Sequence, residues 1–405
     1  MEDKRVSAPL NSPNSRAMAS ILASRPSWIG VGKASDLIDL PDMTILHAGP
    51  PLKNPQDPPA AILNSIILAC IHEGWAKDEL TAIQLVRSGL IQIKPSVDYR
   101  TSIPLAAVVS QSTPLTLIKT GNDEKAWHGF LGSGIGAQLR FGTRDLAVIE
   151  RLKYRDHVLM SGLTELLEAG PVDLLSIARA ALNEGDDLHN RLSSATQILH
   201  AVFLTRKKDS ENVLQTLNTL LETPTYFLSQ WIPACAAMLD RANGIPGSSI
   251  ITNIAGNGQE SAIQISGISR EWIRCEAFPI KGPPIKTEAP IIHFPPHIGD
   301  SSIIDAYGLG GQALQQSPSL QNALAPWLMS DYHQRSQSIL VEQNNVLDLP
   351  VGIDLKKIVA TSNTPLISTG MVASDGSGLL GRGVGVMPLD IFKKAIAMLD
   401  TSKPH

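Results

Sequence analysis

Apolar positions fall into three successive patterns along this chain. Short apolar runs bounded by glycine and proline come first. Trp28 to Val31 and Thr44 to Ala48 predict buried strands, the second stopped by His47-Ala48-Gly49-Pro50-Pro51. Pro58 to Trp75 predicts a buried helix, with prolines at its start and Gly74 near its end. Asp78 to Arg87 predicts a second, more polar helix. Further strands are expected at Ile91 to Ile93, Leu105 to Val109 and Leu115 to Ile118. From Thr143 to Ala242 the spacing becomes helical. Leu146, Val148, Ile149 and Leu152 form one stripe; later ones run through Leu174, Leu175, Ile177 and Ala178, through Ala195, Ile198, Leu199 and Val202, and through Leu214, Leu217, Leu220 and Leu221. After Asn243-Gly244-Ile245-Pro246-Gly247 the strand pattern returns, at Ser249 to Asn253, Ala262 to Ile265, Ile273 to Ala277, Ile291 to Phe294 and Lys357 to Ala360. Ala313 to Leu328 and Asp390 to Leu399 predict helices. No internal repeat is evident.

These elements predict an α+β (mixed α/β) fold of several small sheets, with a helical domain inserted in the middle of the chain. The expected divisions are a flexible arm over 1–26 leading into a first helix, an α/β domain over 27–142, a helical domain over 143–243, and an α/β domain with glycine-rich loops over 244–405. Hydrophobic residues at 43% and charged residues at 18% place the chain of 405 residues among globular proteins. Aromatics are only 4%, so the core must be built from Leu, Ile, Val and Ala.

The net charge is −4 with Lys and Arg scattered, which argues against nucleic acid and anionic lipid as partners. Ala60 to Cys70, the longest apolar run, is too short to span a bilayer and contains Asn64 and Ser65. Met1 to Ala17 is polar and lacks the apolar stretch of a secretory signal. Cys70, Cys235 and Cys275 are widely spaced with no CxxC, which points to a reducing compartment. Cys70 and Cys235 lie in apolar helical runs and are expected to be buried. A soluble cytoplasmic protein is expected.

Candidate chemistry concentrates in Ile298-Gly299-Asp300-Ser301-Ser302-Ile303-Ile304-Asp305-Ala306-Tyr307-Gly308-Leu309-Gly310-Gly311. Carboxylates and hydroxyls flank an apolar core, and glycines follow. Backbone N–H groups and carboxylates placed this way could grip a small polar substrate. Asn183-Glu184-Gly185-Asp186-Asp187-Leu188-His189-Asn190-Arg191 is the second candidate. On a helix, Asp186 and His189 would be neighbours at i, i+3, suited to acid–base pairing, or the segment is a capped helix start with a surface salt bridge. No other histidine pair supplies the ligands a metal would need, so no metal is expected.

Gly132-Ser133-Gly134-Ile135-Gly136 is either a tight turn or an anion loop with Arg140 nearby; it matches neither a Walker nor a Rossmann pattern. Asp375-Gly376-Ser377-Gly378 through Gly381-Arg382-Gly383 reads as a flexible loop able to close on an anion. Asn253 and Asn257, around Gly256 and Gly258, mark a hairpin or an amide-recognising strand end. Glu73, at the end of an apolar helix, could be a base if it faces the His47–Pro51 loop. No nucleophile elbow and no catalytic-looking cysteine setting is present.

Taken in order, several segments resemble the YlbE-like family, whose named member is the AllG-type subunit of oxamate carbamoyltransferase. They are Ile45-Leu46-His47-Ala48-Gly49-Pro50-Pro51, Glu73-Gly74-Trp75-Ala76, Leu139-Arg140-Phe141-Gly142, and Gly185-Asp186 through His189-Asn190-Arg191. Gly247-Ser248-Ser249-Ile250-Ile251-Thr252, Asn257-Gly258, Ile298 to Gly311 and Gly352-Ile353-Asp354 continue the series. The resemblance runs from about Arg16 to about Ala395. It implies a cytoplasmic role in nitrogen catabolism, moving a carbamoyl group between phosphate and oxamate alongside FdrA-type and AllH-type subunits.

The chain reads as a divergent member without the N-terminal segment of longer ones. Val97-Asp98-Tyr99-Arg100-Thr101-Ser102-Ile103-Pro104 stands where relatives have a His-rich run. Leu131-Gly132-Ser133-Gly134 stands for Asn-Glu-Gly, and Gly256-Asn257-Gly258 for Arg-Asn-Gly.

The expectation is an enzyme acting on a small amide, ureido or carbamoyl compound. The alternatives are a C–N (amide or lactam) hydrolase with water as acceptor, and a non-catalytic subunit of a multi-subunit carbamoyltransferase. The expected catalytic set is His189 as acid–base group supported by Asp186, with Glu73, Asp300 and Asp305. The expected substrate-binding set is His47, Arg140, Asn190, Arg191, Asn253, Asn257, Ser301, Gly310, Gly311 and Asp354. No cofactor is expected, and self-association into a homo-oligomer is.

Overall fold

The computed structural model describes residues 12–402 except 122, 124 and 286–293. Most of the expected strands and helices are present. Pro26–Lys33 lies inside a five-stranded sheet, between Pro114–Thr120 and Val172–Asp173; Trp127–Phe130 and Thr101–Ser102 continue the far side. Thr44–His47 is the centre of a three-stranded sheet, parallel to Gln92–Pro95 and antiparallel to Val108–Val109. All four of its residues are buried, the apolar Ile45 and Leu46 flanked by the polar Thr44 and His47. A four-stranded sheet runs Ile268–Glu276, Glu260–Ile265, Ile251–Asn257, Ile298–Gly299. Two hairpins, Leu340–Asn344 with Leu349–Ile353 and Leu366–Val372 with Leu379–Val386, complete the mixed α/β fold.

The buried helix Ala60–His72 has apolar and small residues on every face, and its few polar groups reach neighbouring loops. Asn64 donates to the carbonyls of Gly142 and Gly376, and Ser65 to that of Leu139. Helix Leu228–Asp240 carries Pro233 in its interior. The ring removes the N–H that would meet the Ser229 carbonyl, and the Thr116 hydroxyl donates to that oxygen instead, at 3.1 Å. Helices between 160 and 242 share one core with Trp28, with Ile250 to Ile273 and with the C-terminal Phe392 and Leu399. A second core gathers residues 34–152 with Ile298 and Val372. Cys70 and Cys235 are buried, and all three cysteines are free.

Three expectations change. Lys357 to Ala360 is helical, within Leu355–Thr361, because Asp354 caps the helix by accepting the Lys356 N–H at 2.9 Å. Ala313 to Leu328 is broken into 3₁₀, α and 3₁₀ pieces over Gly310–Gln316, Pro318–Leu324 and Ala325–Trp327, with prolines resetting the backbone. The segment 375–383 is not one loop; Gly381, Arg382 and Gly383 belong to a strand. Residues 291–293 of the expected strand Ile291 to Phe294 lie outside the described residues. Among the described residues, no helix is long and apolar enough to cross a membrane.

Candidate functional site

Two buried polar knots meet around the run that begins at Ile298. The first is centred on Asp300. Gly299 has φ +111°, and a Cβ there would stand 2.5 Å from the Leu105 nitrogen, so only glycine lets the chain turn here. The turn buries the Asp300 carboxylate. Its Oδ1 accepts the Gly49 N–H at 2.7 Å; its Oδ2 accepts the Ser96 hydroxyl at 2.7 Å and the Ile103 N–H at 2.9 Å. Burial pushes its pKa up to about 6 against the pull of these donors. Asp300 therefore ties the His47–Pro51 loop to the 96–103 segment. His47 lies in that loop, fully buried. Its Nδ1 faces the Ala48 carbonyl at 2.7 Å, which fixes the hydrogen on Nδ1 and leaves Nε2 as an acceptor with no partner among the described residues. Burial lowers its pKa to about 4, so the ring is neutral.

The second knot is centred on His189. Residues 186–192 form a loop between helices Leu174–Asn183 and Ser193–Leu204, not a helix. Asp187 explains this. Its Oδ1 accepts the backbone N–H groups of His189, Asn190 and Arg191 at 3.1, 2.9 and 2.7 Å, replacing helical bonds with local ones. Leu188, buried between them, is held at φ +63°.

The loop separates Asp186 from His189. Asp186 instead accepts Arg191 Nη1 at 2.7 Å and the N–H groups of Ser194 and Ala195, starting the next helix. Burial raises its pKa to about 6. The carboxylate facing His189 is Asp305, with Oδ2 2.8 Å from Nδ1. The approach is close but out of line, so by hydrogen-bond geometry these two atoms and His189 Nε2 have no partner among the described residues. Asp305 Oδ1 accepts the N–H groups of Gly311 at 2.8 Å and Ser368 at 3.1 Å. Burial pushes this carboxyl upward, with the His189 charge opposing it.

Gly310, at φ +57°, packs against both partners: a Cβ would lie 2.6 Å from Asp305 Oδ1 and 3.0 Å from His189 Cβ. Asn190 Nδ2 donates to Ser368 Oγ at 2.8 Å and to the Gly383 carbonyl at 3.1 Å; Ser368 Oγ donates to Asp187 Oδ2.

His297 adds a second imidazole. It stacks on Phe278 at 4.8 Å and bridges Ser261 Oγ and Ser302 Oγ at 3.0 and 2.7 Å. Burial, reinforced by the nearby His189 charge, lowers its pKa to about 3. Ser301 Oγ sits 3.5 Å from Thr369 Oγ1. Two residues beyond His189, Arg191 opens onto a cavity of about 270 Å³ that Thr225 and Arg382 also line. Arg140 reaches it indirectly, donating to Thr225 Oγ1 at 3.1 Å. His189, Asp305, Asn190, Arg191, Gly310 and Gly311 are thus brought together, with Arg140 close by.

Other expected residues stand elsewhere. Glu73 does not face the His47 loop; it accepts the N–H and hydroxyl of Ser112. Asn253 pairs with Gln264 across two strands. Asn257 holds its own turn through Gln259 and Glu260 and donates to the Pro50 carbonyl, beside the Asp300 knot. Asp354, besides capping its helix, accepts Ser249 Oγ and Asn14 Nδ2, which anchors the first helix, Pro13–Leu22.

The 132–136 segment is a turn with Gly134 and Gly136 at positive φ, and Arg151 donates to the Ser133 carbonyl. The sequence reading passed over Asp187, His297 and Ser368. The one available cue, and only for Asp187, is its place just after Gly185 and Asp186, where an Asp side chain can take following backbone N–H groups and hold a turn instead of a helix. No group of three or more His, Cys, Asp or Glu side chains is placed to hold a metal among the described residues.

A family model described as oxamate carbamoyltransferase subunit AllG matches residues 91–301. The chain belongs to the AllG family. It is 29% identical over 417 residues to the oxamate carbamoyltransferase subunit AllG of Escherichia coli (strain K12), covering 96% of this chain and 97% of that one. It is 28% identical over 400 residues to the uncharacterized protein YahG of the same organism, covering 95% of this chain and 84% of that one. The crystal structure of a conserved protein of unknown function from Enterococcus faecalis V583 superposes with a TM-score of 0.90 at 26% identity, over 97% of this chain and 98% of that chain. The AllG-family match spans the 186–191 loop and ends at Ser301, inside the Asp300 knot; Asp305, Gly310 and Ser368 lie beyond it.

Proposed function

We propose that this AllG-family chain is a carbamoyl-handling subunit of a multi-subunit transferase, with His189 as its acid–base group and Asp305 as the carboxylate that holds it. The supporting observation is the imidazole itself. Nδ1 faces a buried carboxylate, and Nε2, the atom a proton transfer would use, has no partner among the described residues. The flanking knot of Asp187, Ser368 and Gly311 fixes both partners from the backbone. A partner carboxylate orients a histidine and stabilises its charged form.

In this reading an amide nitrogen of the acceptor attacks the carbamoyl carbon while the bond from that carbon to a phosphate oxygen breaks. Phosphate leaves with the electron pair, and the nitrogen's proton passes to His189 Nε2. In the reverse direction a phosphate oxygen attacks the carbamoyl carbon, and His189 returns the proton to the departing nitrogen. The printed name of the Escherichia coli relative suggests oxamate as the first acceptor to try. FdrA-type and AllH-type chains are the partners to add.

The test uses the purified chain, alone and with those partners, supplied with carbamoyl phosphate and oxamate and followed by phosphate release. The expected result is turnover that falls by about 10²–10⁴ in His189→Gln. A loss of less than about tenfold overturns the acid–base role. Ammonia release from amides without carbamoyl phosphate overturns transfer in favour of hydrolysis.

A further inference from the structure

The cavity beside Arg191 gathers positive charge with no matching negative charge in its wall. Arg191, Arg382, Ser193, Thr225 and Ser319 supply its polar lining, and among the described residues no carboxylate lines it. Arg191 spends Nη1 on Asp186 and on the Glu184 carbonyl, which leaves the rest of its fork uncommitted among the described residues. Arg382 projects from its strand, exposed and without an ion pair among the described residues.

Arg140 stands behind Thr225. It stacks on Phe141 at 4.9 Å, and its buried Nε has no partner among the described residues. Burial and the charge of Arg382 together lower the Arg140 pKa to about 10, so the two guanidiniums feel one another. Three arginines converge here, and among the described residues Arg140 and Arg382 have no acidic partner. Thr225 is oriented as well. Its oxygen accepts from Arg140, so its own hydrogen is free to donate into the cavity.

We propose that this cavity binds a small phosphate-class dianion, with Arg191 and Arg382 on its oxygens, Thr225 as a further donor and Arg140 supporting Thr225 from behind. The charge sets the ligand class. A monocarboxylate can be met by one guanidinium fork, whereas two convergent forks, Arg191 only partly committed to Asp186 and Arg382 without an acidic partner among the described residues, suit a doubly charged, many-oxygened group. The volume sets the size. At about 270 Å³ the space lies under the roughly 300–1,000 Å³ that takes drug-sized ligands, which suits a small phosphoester or inorganic phosphate. The first turn of helix Ser193–Leu204 contributes little, because Asp186 already takes the N–H groups of Ser194 and Ala195.

This inference goes beyond the proposed function and stands on the arginines alone, so it survives if His189 proves inert. The test is calorimetric titration of the full chain with inorganic phosphate at low ionic strength, with acetate titrated in parallel. Saturable phosphate binding that weakens with added salt is expected. Arg382→Ala should weaken it at least tenfold. Ala323→Glu, which sets a carboxylate at an exposed position in the cavity wall, should abolish it. Both positions are exposed, and unchanged melting of the unliganded variants verifies that they fold. The proposal is overturned if wild type shows no phosphate binding, if Arg382→Ala binds as tightly as wild type, or if acetate binds more tightly than phosphate.

Discussion

Replacing Asp187 by alanine removes one oxygen on which three consecutive backbone N–H groups converge. The bonds from His189 and Asn190 are buried, and that from Arg191 is partly buried. A buried donor left without a partner costs about 1–3 kcal/mol, and one that water can reach costs well under that. Two buried donors and one accessible one, with some relaxation of the loop, amount to about 3–4 kcal/mol. That is a large share of the roughly 5–15 kcal/mol that holds a folded chain together. Asp187→Asn is the control. Its oxygen can keep all three N–H groups, and its amide can donate to Ser368 Oγ, reversing the bond Ser368 now gives, so the cost should be about 1 kcal/mol. The assay is urea unfolding followed by far-UV circular dichroism, read as a shift of midpoint at constant slope. If Asp187→Ala costs under about 1 kcal/mol, or no more than Asp187→Asn, the loop is held by Leu188 packing and this account of why 186–192 is not helical fails.

Three further outcomes are expected. Asp300 holds its proton more tightly in the fold, at about 6, than in the unfolded chain, near 3.9, so its stabilisation is full below pH 4 and is lost as pH rises through 6. Buried His47, His128 and His297, lowered to about 4, 4 and 3, act oppositely, contributing stability above pH 6.5 that is lost on acidification. The difference between wild type and Asp300→Asn isolates the carboxyl: wild type should gain about 2 kcal/mol on the variant between pH 7 and pH 4, and a flat difference refutes it. At Leu188, glycine should be more stable than alanine by about 1 kcal/mol despite glycine's entropy, since both lose the buried side chain and only glycine relieves the positive φ; chemical denaturation of both variants tests the order. Gly311→Ala would drive a methyl into the Leu366 backbone carbonyl at a cost of about 1–3 kcal/mol; at roughly 1 °C per kcal/mol for a chain of this length, a melting temperature within about 0.5 °C of wild type, read by calorimetry, would sink that steric argument.

The strands Pro26–Lys33 and Thr44–His47 and the helix Ala60–His72 were legible because apolar runs there are bounded by glycine and proline. Leu355–Thr361 was harder, since Ile358 and Val359 favour a strand locally while the Asp354 cap decides for a helix. The strand carrying Gly381, Gly383 and Gly385 was hidden by its glycines. They are there because the 278–284 segment packs against them, a contact across about a hundred residues. The site was partly legible for the same reason. His189, Asp300 and Asp305 stood out as polar residues in apolar company. The partner of His189 did not, because helical spacing points to Asp186 and the facing carboxylate arrives from another part of the chain.

The Gly49–Asp300 tie has a consequence for how the chain is made. Its two ends are 251 residues apart. At roughly 5–20 residues per second, a ribosome needs about 13–50 s to travel from one to the other. Throughout that interval the sheet built on Thr44–His47 lacks the carboxylate that fastens its outgoing loop and the Ile298 side chain that joins its core. The N-terminal third of the nascent chain must therefore wait, incompletely closed, in the window where chaperones and proteases act. Synonymous codons that slow translation between these positions would lengthen the wait without altering a single residue.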